Sequence, residues 1–98
     1  QTVVVKNGTV LAVEAIEGTD AAVRRGAELG RGGVVVVKVC RPDHDFRFDV
    51  PVVGPATLAV LREVGGTALA VEAKRTLLLD REEALALADE AGIAVVAD

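Results

Sequence analysis

The chain has 98 residues, a net charge of −4, 51% apolar residues and 27% charged residues. This composition is typical of one globular domain and excludes a disordered chain, and the acidic balance argues against a nucleic-acid partner. One Cys and no Ser exclude an internal disulfide and Ser-nucleophile chemistry, and favour a cytoplasmic setting. The sequence begins without Met, so we expect it to be a piece of a longer protein.

The N-terminal residues predict a β-hairpin. Thr2–Lys6 is rich in β-branched residues, and Asn7-Gly8 is a strong signal for a two-residue turn. Thr9–Ala15 is then the partner strand. Alternation with a period of two places three of its apolar residues on one face: Leu11, Val13 and Ala15.

A helix, a buried strand and a second helix follow. Thr19 is a suitable N-cap for a helix over Asp20–Leu29, in which Gly26 indicates a close approach by another part of the chain. Val34–Val39 is almost continuously apolar, as expected of a central strand covered on both faces. Pro55 suits the first turn of the next helix, which the following Gly-Gly pair ends.

The last third predicts a second hairpin, a third helix and a final strand. Thr67–Ala73 and Thr76–Leu79 are strands on either side of a turn, and Asp80 and Glu83 have the spacing of a capping box. Ile93–Ala97 is predicted as a buried strand. The chain is therefore expected to be α/β, a single domain with a mixed sheet of about six strands and three helices, in which the hairpins supply the antiparallel part.

Glu17, Gly18, Thr19 and Asp20 form the first candidate site, because they lie between a strand and a helix, where α/β domains bind ligands. Amide N–H groups at a helix start attract phosphate, and the Thr19 hydroxyl can donate as well. The two carboxylates suit a hydroxyl group or a divalent cation that bridges to phosphate. An ordinary capped helix start is the alternative.

The second candidate is the charged segment 41–51, which contains three carboxylates, one imidazole and two guanidinium groups. In an extended conformation, Arg47 and Asp49 point to one side and the two Phe residues to the other. Arg47 would then neutralise phosphate charge, and Asp49 would orient a water or hold a metal. The alternative is a solvated, charge-balanced loop anchored by its aromatic residues.

Lys38 lies inside an apolar strand, where a charge is costly unless its head reaches water or a partner. A phosphate-binding lysine and an edge lysine whose head reaches solvent both fit this position. Cys40 and His44 are too few for a structural zinc site, and Cys40 is predicted to be a small apolar residue of the interior.

Taken in order, four blocks resemble one known family: Leu11–Asp20, Lys38 with Pro42, Asp45–Gly54 and Arg75–Glu82. The family is the UDP-2,3-diacylglucosamine pyrophosphatases of lipid A synthesis in their alpha-proteobacterial form, and the similarity is to the C-terminal domain. It covers nearly the whole chain. The order and spacing of the blocks carry the resemblance, since each block alone is weak.

The resemblance implies a hydrolase of two domains, with residues 1–98 as the C-terminal domain of a longer protein. The enzyme would cleave UDP-2,3-diacylglucosamine into UMP and 2,3-diacylglucosamine 1-phosphate, with Mg²⁺ as cofactor and Mn²⁺ as the alternative. It would be a cytoplasmic homodimer, peripheral to the inner membrane. Its active site would lie against a missing N-terminal domain, so we expect the isolated domain to be inactive.

The resemblance also assigns roles to individual residues. Asp49 matches the aspartate expected to be catalytic or to hold the metal together with Asp45, and Arg47 belongs to the same block. The residues expected to face the substrate are Glu17, Gly18, Thr19, Asp20 and Lys38. Lys74 departs from the family, in which Gly is common at that turn.

Two other functions fit the sequence. One is a non-catalytic module for dimerisation or ligand binding within a longer protein, and the other is a different phosphoryl or nucleotidyl enzyme. The pyrophosphatase interpretation requires residues 17–20 and 45–49 to converge on one hollow at one edge of the fold.

Overall fold

The structure is a computed structural model that describes residues 1–40 and 50–98. Predictions for residues 41–49, including the extended conformation of Arg47 and Asp49, lie outside the described residues. Three helices are present in the described chain: α1 (Thr19–Gly30), α2 (Pro55–Val64) and α3 (Arg81–Ala91). The strands are β1 (Thr2–Lys6), β2 (Thr9–Val13), β3 (Val35–Lys38), β4 (Val52–Val53), β5 (Ala68–Val71), β6 (Leu77–Leu78) and β7 (Ala94–Ala97).

Five strands form the main sheet in the order β2-β1-β3-β5-β7. β1 is antiparallel to β2 and β3, whereas β3, β5 and β7 are parallel to one another. The remaining strands, β4 and β6, pair in parallel as a separate small sheet. The predicted α/β class with a mixed sheet is confirmed, and β3 is the central strand as predicted. The prediction that β3 is covered on both faces is wrong, because Val36 and Lys38 are buried on one face and Val35 and Val37 are only partly buried on the other.

The first hairpin forms as predicted, but the face assigned to β2 is wrong. Asn7 and Gly8 adopt φ values of 50° and 76°, the left-handed pair that a tight hairpin turn requires. Val4 lies opposite Ala12 while Val5 lies opposite Val10, so Leu11 is the extra residue of a β-bulge. The bulge interrupts the alternation, and Ala12 is buried while Val13 is exposed.

The second predicted hairpin does not form. β5 already has β3 on one side and β7 on the other, so β6 cannot pair with it and joins β4 instead. Lys74 turns the chain away from the main sheet with a φ of 65°. β1 is antiparallel to both of its neighbours, β2 and β3, and these two pairings form the whole antiparallel part of the main sheet.

Two predicted helix caps are also wrong. Gly18, and not Thr19, is the N-cap of α1, because the Thr19 hydroxyl bonds elsewhere. Asp80 precedes α3 in the left-handed region, with a φ of 46°, and makes no side-chain cap hydrogen bond, so the capping box with Glu83 is not formed. Pro55 does open α2 as predicted.

The helices pack on one face of the main sheet and enclose the core. Val4, Val36 and Leu69 line that face and meet Leu58 and other buried residues of the helices. Gly26 allows α1 to lie directly on β1, because a Cβ at this position would be 2.5 Å from Val4 Cγ1. The close approach predicted at Gly26 is confirmed.

The opposite face of the sheet consists of Val and Ala, and no helix of the described residues covers it. Val13 and Val96 are 56% and 51% exposed there. Ala94–Ala97 forms an edge strand with most residues exposed, so the prediction of a buried last strand is wrong.

Candidate active site

The carboxyl ends of the parallel strands meet at one edge of the main sheet, the place where α/β folds bind ligands. Thr2, Lys38, Val71 and Ala97 are cross-strand partners there and form a row on the helix-covered face. Thr19 Oγ1 lies 3.3 Å from Thr2 Oγ1, so α1 also begins at this edge.

A chain of hydrogen bonds holds the start of α1. Thr19 Oγ1 donates to Glu14 Oε1 at 3.2 Å. Because a Thr hydroxyl carries one hydrogen, Thr2 Oγ1 is then the donor to Thr19 Oγ1. Thr2 is fully buried, so Thr19 provides its side-chain partner. Thr19 thus lies at the predicted edge with its hydroxyl engaged in a structural contact.

The other residues of the first candidate site surround this start. Glu17 Oε1 accepts hydrogen bonds from Arg25 Nη2 at 2.8 Å and from the Ala15 amide at 3.4 Å. These two hydrogen bonds lower the pKa of the exposed Glu17 carboxyl from its ordinary value of 4.5, and the one from Arg25 has the larger effect. Gly18 precedes α1 with a φ of 90°, and Asp20 is exposed in the first turn.

Lys38 is buried at the end of β3, with 8% of its surface exposed. Its Nζ donates to the carbonyl oxygen of Val52 at 2.8 Å, which satisfies the predicted need for a partner. An ammonium group has three N–H donors, so this bond leaves capacity for a second acceptor. Lys38 therefore connects the main sheet to β4 at the candidate edge.

A cavity of about 240 Å³ lies between this edge and the small sheet. Its polar lining residues are Glu72, Lys74, Thr76 and Arg81. Apolar lining residues come from both sheets: Val53, Val71, Leu78 and Val95. The cavity lies at the carboxyl ends of β5 and β7, where the topology of the sheet favours a binding site.

Glu72 links the cavity to the segment that carries the predicted catalytic residues. Its Oε1 accepts a hydrogen bond from the Cys40 amide at 2.7 Å, and its Oε2 lies 3.8 Å from Arg75 Nε. Cys40, itself half-buried, is the last described residue before position 41. Together with the Lys38–Val52 bond, this contact holds both ends of segment 41–49 at the candidate edge.

The predicted site residues occupy different parts of this edge. Residues 17–20 lie beside β1 and β2, Lys38 lies at the centre, and none of them lines the cavity at the far end. Asp45, Arg47 and Asp49 lie outside the described residues, so their predicted convergence with residues 17–20 stays a prediction.

Thr76 and Arg81 were not singled out from the sequence. The signal that could have found them is their position shortly after a parallel strand, β5, at whose carboxyl end the cavity opens. The sequence pattern predicts that Thr76 belongs to a hairpin strand, and this prediction gives no reason to expect the residue in a cavity wall.

The predicted magnesium ligands belong to segment 41–49, which lies outside the described residues. Within residues 1–40 and 50–98, no three His, Cys, Asp or Glu side chains are grouped so as to hold a metal ion. Mg²⁺ needs only one or two protein carboxylates when a substrate phosphate supplies further oxygens. Asp45 and Asp49, which are the predicted ligands, belong to segment 41–49.

The sequence of this chain is similar to that of one known family. Residues 1–96 match the LpxI C-terminal domain family. The chain belongs to this family. It is 41% identical over 104 aligned residues to the UDP-2,3-diacylglucosamine pyrophosphatase LpxI of Caulobacter vibrioides, a match that covers 98% of this chain and 37% of that protein. The family predicted from the four sequence blocks is confirmed.

The LpxI C-terminal domain described here thus spans 37% of the length of its Caulobacter relative. Its longest described helix, α1, has 12 residues, and no helix in the described ranges combines the length and the apolar character that a membrane span needs.

Proposed function

We propose that this LpxI C-terminal domain is the catalytic half of a two-domain enzyme that hydrolyses UDP-2,3-diacylglucosamine. Water adds to one phosphorus, the P–O–P bond breaks, and the products at neutral pH are the dianions of UMP and 2,3-diacylglucosamine 1-phosphate together with two protons. Family membership over residues 1–96 is the observation that carries the proposal. The name of the Caulobacter relative supplies the reaction.

The geometry of the described residues supports a catalytic role for this half. Hydrogen bonds from Lys38 to Val52 and from Cys40 to Glu72 fix both ends of segment 41–49 beside a cavity at the carboxyl edge. The segment therefore starts and ends where an α/β domain has its site.

Each chain residue then has a defined task. Lys38 uses its remaining N–H donors to stabilise negative charge on the pyrophosphate, together with Arg47. Asp45 and Asp49 would hold Mg²⁺, which neutralises phosphate charge when bound. Thr19 and Glu14 keep the start of α1 in place at the same edge.

The remaining surroundings of the enzyme belong to the same proposal. An N-terminal domain would cover the carboxyl edge and complete the site, and the isolated chain would then be inactive. The full enzyme would act as a homodimer in the cytoplasm, at the membrane surface that holds its lipid substrate.

The test is UMP release by a chimera in which this chain replaces the matching segment of the Caulobacter relative. We expect Mg²⁺-dependent release, and we expect Asp49→Asn to lower the rate at least about a hundred-fold. Asp43→Asn is the matched control, because it removes a carboxylate of the same segment that has no assigned role. The control should stay within about two-fold of the unsubstituted chimera.

Two results would overturn parts of the proposal. A chimera that melts cooperatively like the relative but releases no UMP contradicts the reaction. Equal rates for the Asp49→Asn and Asp43→Asn chimeras contradict the assignment of Asp49.

A further inference from the structure

We propose that the cavity lined by Glu72, Lys74, Thr76 and Arg81 binds a phosphate monoester carried on a small polar ring. Lys74 and Arg81 would contact the phosphate, and Thr76 would hydrogen-bond the ring. The inference rests on the proposed function, because both products of that hydrolysis, UMP and a sugar 1-phosphate, fit this description.

The charge of the lining favours an anion. The whole chain has a net charge of −4, yet the cavity is lined by two cationic side chains, Lys74 and Arg81, and one carboxylate. That carboxylate, Glu72, accepts the Cys40 amide hydrogen and lies 3.8 Å from Arg75, so its charge is partly offset. Hydrogen bonds from cations to phosphate are among the stronger polar contacts in proteins.

Thr76 indicates a polar group on the ligand. Its Oγ1 is buried and has no hydrogen-bond partner within residues 1–40 and 50–98. Buried hydroxyls are nearly always paired, and an unpaired one is unfavourable. Because a hydroxyl both donates and accepts, it can pair with a ring carbonyl, a ring N–H or a sugar hydroxyl.

The backbone beside the cavity is strained in a way that a binding role explains. Lys74 has a φ of 65°, a conformation that strongly favours Gly, and Asp80 has a φ of 46° next to Arg81. Non-glycine residues in this region persist where the surrounding structure or a function retains them. At position 74, where the resemblance to the family implies Gly, this chain has a cation in the cavity wall.

The size of the cavity restricts the ligand. Its volume of about 240 Å³ lies just below the roughly 300–1,000 Å³ of pockets for drug-sized molecules. The space suits a phosphate with the sugar ring that carries it, ribose or glucosamine, and is too small for a pair of long acyl chains. The apolar residues Val71 and Val95 give the carbon atoms of the ring an apolar surface to contact.

NMR titration of the ¹⁵N-labelled chain tests the inference with four probes: UMP, glucosamine 1-phosphate, uridine and inorganic phosphate. We expect one of the two monoesters to shift the amide signals of residues 71–76 and 81, and to bind at least about ten-fold more tightly than uridine or phosphate. Preference for UMP assigns the cavity to the nucleotide half, and preference for glucosamine 1-phosphate assigns it to the sugar half.

Lys74→Gly is the decisive variant, because Gly accepts the left-handed backbone and the substitution removes the cationic side chain without straining the turn. It should melt at or above the temperature of the unsubstituted chain, yet bind the preferred monoester about ten-fold more weakly. Arg31→Gly is the matched control. Arg31 has a φ of 58° and lies at the opposite end of the domain, after α1. This control should leave the affinity unchanged.

Thr76→Val gives an independent measurement, since it removes the hydroxyl at nearly constant shape. It should weaken the preferred monoester three- to ten-fold and leave inorganic phosphate unaffected. Three results would each overturn the inference. They are equal monoester affinities of the Lys74→Gly and Arg31→Gly variants, amide signal shifts confined to other surfaces, and no shifts at a millimolar concentration of any probe. If the chimera hydrolyses the substrate but no monoester shifts the amide signals of the cavity, only the inference is contradicted. If a monoester binds in the cavity but the chimera does not hydrolyse the substrate, only the proposed function is contradicted.

Discussion

Lys38 Nζ and the carbonyl oxygen of Val52 are 2.8 Å apart, and this hydrogen bond joins the two chain ends that flank segment 41–49. The lysine is nearly buried, so little solvent competes for the bond. A side chain that the sequence marks as unusual, a charge within an apolar strand, therefore links the described residues on the two sides of segment 41–49.

Replacing Lys38 by Met should lower both stability and activity. Loss of a partly buried, charge-assisted hydrogen bond costs about 2 kcal/mol, and the carbonyl of Val52 is left to water. In the chimera, misplacement of segment 41–49 should lower UMP release about ten- to a hundred-fold. Urea unfolding of the chain and initial rates of the chimera measure the two effects.

Lys6→Met is the matched control for this change. Lys6 Nζ also donates to a backbone carbonyl, that of Gly30 at 2.7 Å, but at the opposite edge of the sheet. The control should lose about 1 kcal/mol and keep its activity. If Lys38→Met unfolds at the same urea concentration as the unsubstituted chain, the Lys38–Val52 bond has no structural role.

Gly26→Ala should destabilise the domain although Ala is the better helix former. The new Cβ would lie 2.5 Å from Cγ1 of Val4, a residue of β1 that is fully buried beneath α1. Overpacking of this kind costs about 1–3 kcal/mol, against a helix gain of about 1 kcal/mol. The net loss should lower Tm by several degrees, as thermal unfolding followed by circular dichroism would show.

Gly30→Ala provides the comparison on the same helix. Its new Cβ would lie 2.5 Å from Leu11 Cδ1, the end of a flexible and only partly buried side chain that can move aside, and 3.1 Å from Cγ1 of the buried Val34, which has to shift by only a few tenths of an ångström. We expect a smaller fall in Tm than for Gly26→Ala. A Gly26→Ala chain that melts above the unsubstituted one would contradict the close packing of α1 on β1.

Local chemistry in the sequence predicted the turns and the ends of helices well. Asn7-Gly8 forms the expected hairpin turn, and Gly65, the first residue of the predicted Gly-Gly stop, ends α2 in the left-handed conformation that favours glycine. These features depend on neighbouring residues alone. The helix start at Thr19 was missed because its hydroxyl meets Thr2, a residue 17 positions away.

Strand pairing depends on distant residues and was predicted less well. β6 pairs with β4 because β5 already has β3 and β7 as its neighbours. The number of residues between predicted strands does not show which strands lie side by side. The bulge at Leu11 likewise reflects the fit of β2 to β1. The alternation of strands and helices in the sequence predicts the edge of the sheet at which a ligand binds. The positions of the cavity residues Thr76 and Arg81 depend on the strand pairings, which the sequence predicts less well.

Thr19→Val should destabilise the chain by about 1–3 kcal/mol, because it leaves the hydroxyl of the buried Thr2 without its partner. Thr19→Ser keeps the hydroxyl and should lose much less. The double variant Thr2→Val with Thr19→Val should be more stable than Thr19→Val alone, because no unpaired hydroxyl stays buried. Additive losses in this double-mutant cycle would show that the two hydroxyls do not interact.

Glu17 and Arg25 supply a prediction on pH. The hydrogen bond from Arg25 lowers the pKa of Glu17 below 4.5, and a separate one from Arg24 lowers the pKa of Glu63. A carboxyl with a lowered pKa in the folded state stabilises the fold above its unfolded pKa, and this contribution disappears as pH falls through the folded value. Both carboxyls are exposed, so the effect on the free energy of unfolding should be small and confined to pH values near and below 4.5.

The two pairs serve as controls for each other in a carboxyl NMR titration. Arg25→Gln should raise the pKa of Glu17 towards 4.5 and leave Glu63 unchanged, whereas Arg24→Gln should do the reverse. Salt should weaken both shifts, because exposed ion pairs are screened. A Glu17 pKa that does not respond to Arg25→Gln would show that the ion pair is not populated in solution. The Glu17 carboxylate would then be fully available at the candidate edge.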